Sequence, residues 1–541
     1  MSQTTSWLLV FSLVVFFQST ADAQDGHLDS TFASNGVVTN IIGSTAGIGY
    51  SGAAHSVLVQ GDGKIIAAGF SGDGNETFFA MVRYNSNGTV DTSFGTNGIV
   101  TTAIGPTDDE AYSATLESDG KIILGGFSSM GGLGSQRVFA LVRYDTNGAV
   151  DSSFGKNGVV TTAIGTADDE ISSIVMQTDG KIIAAGYSYK GFLSNGDTYY
   201  FAMTRYTSNG TLDSTFGTKG VVTMQIQPTT TAPEWDLASS IALQSDGKIL
   251  VAGTSGNGIV GDFAVVRLNP DGTPDNTFGS YGTVLTSLDS GEDGAASIVV
   301  QSDGRIVVGG HSESYFAACR YSSNGDLDPT FGTGGKVITA IGHSSDAIKA
   351  LIIQGDGRIV ATGFSVGNGI ALVRYNVDGS IDTTFGKGGA STMDSIGWGG
   401  DRGFAAAIQP DGKVLIAGTA MYNNFYNLNE FVIARYTDTS KVGVNAIVKA
   451  GTYPATFEIY QNYPNPFNPT TVISYKLPSA SHVTLKVYDV LGRTVATLVD
   501  GEVSAGDHQA ILNGSEFASG VYFYRLTTPT YTKVMKMLLI K

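Results

Sequence analysis

The chain has 541 residues, 42% of them hydrophobic and only 15% charged, and its 31 basic against 48 acidic side chains leave a net charge of −17. That balance repels a phosphate backbone or an anionic membrane face and excludes nucleic acid as a partner, while the apolar fraction suffices for a large core. With 72 glycines and 13 prolines, the composition is that of strands joined by many tight turns, so an all-β protein is expected.

Residues 1–23 read as a signal peptide. The apolar run at residues 8–17 is too short to span a bilayer, and Ala21-Asp22-Ala23 ahead of Gln24 has the small-residue pattern of a signal-peptidase site. No Lys or Arg precedes the run, so only the α-amino group supplies the positive charge such segments usually carry. Export is expected, with no transmembrane span left once the segment is removed. The one cysteine, Cys319 in "FAACRY", occupies a place where equivalent stretches carry an aliphatic residue or Thr, and is expected to be a buried packing residue.

Residues 24–437 contain seven copies of one unit, each with three landmarks. An Asp-Gly pair, from Asp62-Gly63 to Asp411-Gly412, separates two apolar runs and predicts a hairpin with a type I′ turn. Next comes a strand of the form "FALVRY", bearing Arg83, Arg143, Arg205, Arg267, Arg320, Arg374 and Arg435, which lie 53 to 62 residues apart. Last is an Asp-x-x-Phe element at Asp29, Asp91, Asp151, Asp213, Asp275, Asp328 and Asp382, followed by Gly and a fourth apolar run. Four short strands per copy, apolar on both faces, suit sheets stacked radially.

The unit is out of phase with the chain, which fixes how a ring would close. The first copy of the fourth-strand element, "DSTFASNGVVT", precedes any complete unit, and the last unit stops after "FVIARY". The first strand is therefore expected to complete the seventh sheet and remove an open edge. These copies resemble delta-60 repeats, through recurring "QxDGKI", "FAxVRY" and "DxTFG" stretches. The resemblance implies a seven-bladed β-propeller and, by itself, no particular activity.

The stretch "DTNGAVDSSFGKNG", residues 145–158, has the look of a calcium loop, but Gly148 stands fourth where such loops place their bend glycine sixth. It reads instead as a hairpin turn, with Asp151 returning to pair with Arg143. The arginine ring is then scaffold.

Strands that alternate in direction put the uniform "SDGK" and "SNGT" turns on one face and loops of varied length on the other. Binding is expected on the varied face. There an Asp recurs eight residues before the end of each first strand, at Asp109, Asp169, Asp236, Asp293, Asp346 and Asp401, with Gly52 in the odd copy and Glu110, Glu170 and Glu292 alongside. Each Asp either caps the amides of its own loop or joins a ring of carboxylates at the channel mouth, for which calcium is the natural guest. Tyr112, Tyr187, Tyr189, Trp235, Tyr315, Trp398, Tyr422 and Tyr426 lie nearby in sequence and would suit sugar faces. No catalytic constellation is legible: His55, His311 and His343 fall in different copies without metal-ligand spacing.

Residues 438–456 read as a linker, and residues 457–541 as a small sandwich of alternating strands. The module resembles the type A sorting domain of the type IX (Por) secretion system. The likeness runs through Tyr463-Pro464-Asn465-Pro466-Phe467, Gly492-Arg493, Gly520, Tyr522 and the basic-hydrophobic tail ending at Lys541. It implies an immunoglobulin-like fold, handling by the type IX machinery by way of the periplasm, and an outer-surface or secreted destination after removal of the module. The combined expectation is a seven-bladed propeller acting as a binding module for a carbohydrate or a surface protein, without a firmly implied cofactor. A surface polysaccharide hydrolase or lyase using the acids of the varied face is the alternative.

Overall fold

The computed structural model describes residues 25–42, 51–131, 136–193, 196–227, 235–256, 260–289, 291–342, 345–393, 400–423, 428–438, 457–462, 465–477, 481–503, 506–514, 517–529 and 531–540. The signal peptide expected at 1–23 and the linker expected at 438–456 lie outside these, apart from Asp438. Among the described residues no helix is long and apolar enough to cross a membrane.

Each repeat folds into a four-stranded antiparallel sheet, as in blade 1 with Gly52–Val59, Ile65–Gly72, Thr77–Tyr84 and Ile99–Thr102. Blades 2 to 6 begin at Asp109, Asp169, Leu237, Asp293 and Asp346. Blade 7 is built from both ends of the propeller: Val37–Asn40 pairs antiparallel with Leu428–Tyr436, Val37 opposite Ala434. The zipper continues through Gly26 N–H to Thr437 O at 2.8 Å and Thr437 N–H to His27 O at 2.7 Å. Pairing this strand leaves the ring without an exposed edge there.

Both faces of every sheet are apolar, and seven buried clusters fill the seven gaps between neighbouring blades. Cys319 lies in one of them, and burial pushes its thiol up to about 12, which leaves it protonated and inert.

The Asp-Gly turns differ from expectation. Gly63 has φ +84°, but Asp62 is not among the residues of positive φ, so the turn is not type I′. Gly63 N–H donates to Gln60 O at 2.9 Å and Gln60 N–H to Lys64 O at 2.8 Å. This is a three-residue loop, a type I turn followed by a left-handed Gly. Asp62 stays in an ordinary conformation because its Oδ1 accepts the Lys64 N–H at 3.1 Å.

The third strand and the Asp-x-x-Phe element form one corner, repeated in all seven blades. Arg Nε lies 2.7–2.9 Å from the Asp Oδ2 in each, as in Arg83–Asp91 and Arg435–Asp29. The guanidinium covers the ring of a fully buried Phe at 4.3–4.8 Å. The Lys or Arg after the Asp-Gly turn meets the same carboxylate, as Lys248 does Asp275 at 2.9 Å. Burial alone would raise Asp29, but hydrogen bonds from Thr31 and Lys413 and the Arg435 charge bring it down to about 2. The corner also ties blade to blade: Arg83 Nη1 donates to Thr146 O at 2.7 Å, and Arg143 to Ser208 O at 2.7 Å. Asp145 Oδ1 meanwhile accepts Asn147 N–H and Ala149 N–H at 2.8 and 2.9 Å, a turn lock within the stretch that looks like a calcium loop.

The C-terminal module has a three-stranded sheet, Glu458–Ile459, Thr470–Leu477 and Gly506–Asn513, and a four-stranded sheet, Thr494–Val503, Ser481–Tyr488, Gly520–Thr527 and Thr532–Leu539. Both contribute to one core, with every second residue of Thr470–Leu477 buried. Buried Phe467 exchanges hydrogen bonds with the last strand's end, its N–H to Leu538 O and Ile540 N–H to its own carbonyl, both at 3.0 Å. Asn465 Oδ1 accepts Leu538 N–H at 2.9 Å. Tyr522 donates to Ala518 O at 2.9 Å, and Arg493 pairs with Asp489 at 2.7 Å around Gly492. Tyr463, Pro464 and Lys541 lie outside the described residues.

Candidate functional site: the axial cavity

The first strand of every blade lines the axis, and every one carries the same irregularity. Its register against the second strand slips once, between Ala54 and Ser56 in blade 1 and at the matching place in the other six. The skipped residues are His55, Tyr112, Ser172, Ser239, Ala296, Lys349 and Phe404. A bulge leaves its extra residue unpaired and re-aims the side chain, and all seven line a single cavity of about 300 Å³.

A glycine in the second strand makes each bulge fit. A Cβ at Gly69, Gly126, Gly186, Gly253, Gly310, Gly363 or Gly418 would sit 1.8–2.0 Å from a first-strand carbonyl oxygen. No other residue allows that approach. Serines following the bulge tie the ring together: Ser56, Ser113, Ser240 and Ser297 Oγ accept the N–H of Ala114, Ile174, Ile298 and Leu351 at 3.0–3.3 Å, each on the next blade. These bonds satisfy amides on an edge that has no further strand beside it.

The seven positions share geometry but not chemistry. On blades 7, 1 and 2, Phe404 stacks on His55 at 4.5 Å between centroids and Tyr112 meets His55 edge-on at 5.0 Å, giving a continuous aromatic arc. Ser172 and Ser239 present hydroxyls on blades 3 and 4. Beside the arc stand two acids: Glu110 accepts Tyr112 OH at 2.6 Å, and Glu170 accepts Tyr187 OH at 2.8 Å and Arg137 Nη1 at 3.2 Å. Burial raises the pKa of both, against the lowering by these donors. The same burial and the neighbouring carboxylates hold Tyr112 far above the ordinary phenol range, so it acts as a neutral donor.

Of the six aspartates singled out in the sequence, Asp109 and Asp169 directly precede the two acids, and all six are turned away from the axis. All are 0–2% exposed. Asp109, Asp169, Asp236, Asp293 and Asp346 accept the N–H of Ile104, Ile164, Ile226, Leu288 and Ile341 at 2.6–2.9 Å, and Asp401 that of Met421 at 3.0 Å. The first five lock the loop by which the chain enters the inner strand, while Asp401 holds an amide of the second strand of its blade. Among the described residues no group of three or more His, Cys, Asp and Glu is placed to hold a metal ion. Of the aromatic residues singled out, Tyr112 reaches the cavity, Tyr187 supports Glu170, and Tyr189 donates to Asp197 at 2.8 Å. Trp235 and Tyr315 are exposed at 44% and 41%, and Trp398, Tyr426, His343 and the side chain of Tyr422 lie outside the described residues. Sequence reasoning passed over the bulge ring because its residues form no motif. The signal that marks it is the glycine recurring at one place in every second strand.

Comparison with known proteins gives two family matches. Residues 60–94, 117–154, 177–216, 244–278, 301–331, 354–385 and 409–437 match the family described as "Domain of unknown function (DUF5122) beta-propeller". Residues 461–541 match "Secretion system C-terminal sorting domain". A curated protein of Formosa agariphila, named an endo-acting ulvan lyase, is 38% identical over 79 residues, covering 15% of this chain and 14% of the lyase. Among solved structures, PorZ of Porphyromonas gingivalis, a surface component of its type IX secretion system, aligns with TM-score 0.37 and 11% identity over 90% of this chain and 59% of its own. A protein of unknown function from Dyadobacter fermentans aligns with TM-score 0.37 and 12% identity over 74% of this chain and 99% of its own.

Proposed function

We propose that this chain, a β-propeller of seven DUF5122 repeats exported through type IX secretion by its C-terminal sorting domain, is a carbohydrate-binding module whose ligand enters the axial cavity. One observation carries the reading: seven bulges of identical geometry present six different residue types, an aromatic arc on one side and hydroxyls and acids next to it. Rings stack on the C–H faces of a sugar, while Ser172, Ser239 and Glu170 offer partners to its hydroxyls. Asp109, Asp169, Asp236, Asp293 and Asp346 support this arrangement by holding the loops that lead into the inner strands. The cavity's pattern does not require chemistry at the ligand, so an activity like that named for the Formosa agariphila relative stands as the competing outcome.

The test is a glycan panel applied to the full secreted protein, scored for retention and for new chain ends. Retention of a subset without cleavage is expected, and Tyr112→Ala should weaken it about tenfold, the scale of one aromatic contact. Retention of no glycan would remove the reading. New chain ends that vanish in Glu170→Gln would replace it with an enzyme.

A further inference from the structure

The two sides of the cavity carry opposite charge, and the protein neutralises only one of them. On blades 2 and 3, Glu110 and Glu170 have Tyr112, Tyr187 and Arg137 as donors. On blades 6 and 7, across the ring, stand Lys349 and Arg402. Lys349 is the bulge residue of its blade, and its Nζ lies 5.8 Å from the centroid of Phe364. The Arg402 guanidinium covers the same ring at 4.7 Å. Among the described residues, neither cation has a carboxylate within 4.0 Å or donates a hydrogen bond. Lys349 is partly buried and faces the cavity. Burial, then the like charge of Arg402, disfavours its charged form. His311, opposite Gly294 in blade 5, adds no counter-charge: burial and the Lys349 charge keep its imidazole neutral. Arg402 is exposed and solvated, but Lys349, partly buried over the same ring with no internal anion, would gain from an anion supplied from outside.

We infer that Lys349 and Arg402 form an anion subsite, and that the ligand is a sugar bearing a carboxylate, a uronic acid unit. This deepens the carbohydrate-binding reading and rests on it. Arg offers a planar fork that matches a carboxylate, and Lys a point charge beside it. A singly charged group suits the site, because a net charge of −17 on the chain opposes ligands of high negative charge. With the carboxylate at blades 6 and 7, the sugar ring reaches the stacked pair of Phe404 and His55. Its hydroxyls then face Ser172, Ser239 and Glu170.

The test measures binding of D-glucuronate against D-glucose and of D-galacturonate against D-galactose, by calorimetry on the full chain, with acetate as the anion that lacks a ring. The uronates should bind at least about tenfold tighter than their neutral counterparts, the scale of one charge-assisted contact, and tighter than acetate. Lys349→Met should bring each pair to within about threefold, whereas Lys349→Arg should keep the preference. Lys349→Met removes a partly buried cation with no internal partner, so its melting temperature should equal or exceed the parent's, which separates lost binding from lost folding. Equal binding of acid and neutral sugars would overturn the anion subsite and leave the carbohydrate reading standing. A preference that survives Lys349→Met would overturn it too, as would acetate binding as tightly as the uronates, or the absence of any uronate binding while neutral glycans are retained.

Discussion

The outer corner of each blade and the inner bulge are both repeated seven times, and they repeat different things. At the corner the residues themselves recur: an Arg, an Asp, a buried Phe and a basic residue from the Asp-Gly turn, with the Arg–Asp distance within 2.7–2.9 Å throughout. At the bulge only the backbone recurs, and the side chains run from Ala296 to Lys349 and Phe404. A buried ion pair has one workable solution, because taking either partner away strands the other. A side chain aimed into a cavity is free of that constraint. Within one chain, then, repetition of chemistry marks scaffold, and repetition of geometry with changing chemistry marks the surface where a ligand is read.

Breaking the corner should have the largest effect, and most of all in blade 6. There Arg374 Nε holds Asp382 at 2.7 Å, while its other nitrogens reach Asp25 and Asp438 at 3.0 and 3.1 Å. In other blades that outer contact is a turn carbonyl of the next blade. Blade 7 takes its outer strand from the chain's beginning and has no such turn, so the two ends of the propeller supply carboxylates instead. Arg374→Met should cost about 3–5 kcal/mol, the range for a broken buried pair. Urea unfolding should show the loss, and a change under about 1 kcal/mol would mean the corner is not scaffold.

Breaking the bulge should cost less stability and more binding. In Gly186→Ala the new methyl would lie 1.8 Å from Glu170 O, so the strands must part or the bulge must flatten. Overpacking of this kind costs about 1–3 kcal/mol. Because Ser172 and Glu170 sit on the displaced strand, glycan retention should fall further than the same loss of stability produces elsewhere. Gly180→Ala, in the Asp-Gly turn of the same blade, is the control: its φ of +81° strains a side chain, but it is remote from the axis. Equal loss of retention in the two variants would erase the distinction between corner and axis.

The sequence announces the corner and stays silent on the axis for the same reason. Arg143 and Asp151 stand eight residues apart across a turn, so strand geometry alone brings them together, and the same logic places Val37–Asn40 on the last strand. The aspartates from Asp109 to Asp401 catch the eye through repetition, which by the contrast drawn above is the mark of a structural post, and their carboxylates are spent on backbone amides. His55, Lys349 and Phe404 belong to one ring only because a one-residue slip in register points them inward. Periodicity of two assigns such a residue to the wrong face. The turn type was misleading likewise, since Asp-Gly suits both a two-residue loop and the three-residue loop observed.

The smallest effect, and the one that separates the two regions by sign, is on pH. Corner carboxylates such as Asp29, brought down to about 2, contribute stability that is present above the unfolded value of 3.8 and is lost as pH falls toward 2. The axial acid Glu170 is raised from 4.5 by burial, with Tyr187 and Arg137 offsetting only part of that. Between 4.5 and its raised value the folded chain binds more protons than the unfolded one, so stability declines as pH rises through that window. Glu170→Gln removes this slope while leaving the acid limb set by the corners in place. Melting curves from pH 3 to pH 8 should therefore show the variant gaining on the parent as pH rises through that window and matching it near pH 3. A variant that loses ground at neutral pH would mean that the Arg137 pairing outweighs burial, and that the acidic side of the cavity is scaffold like the corners.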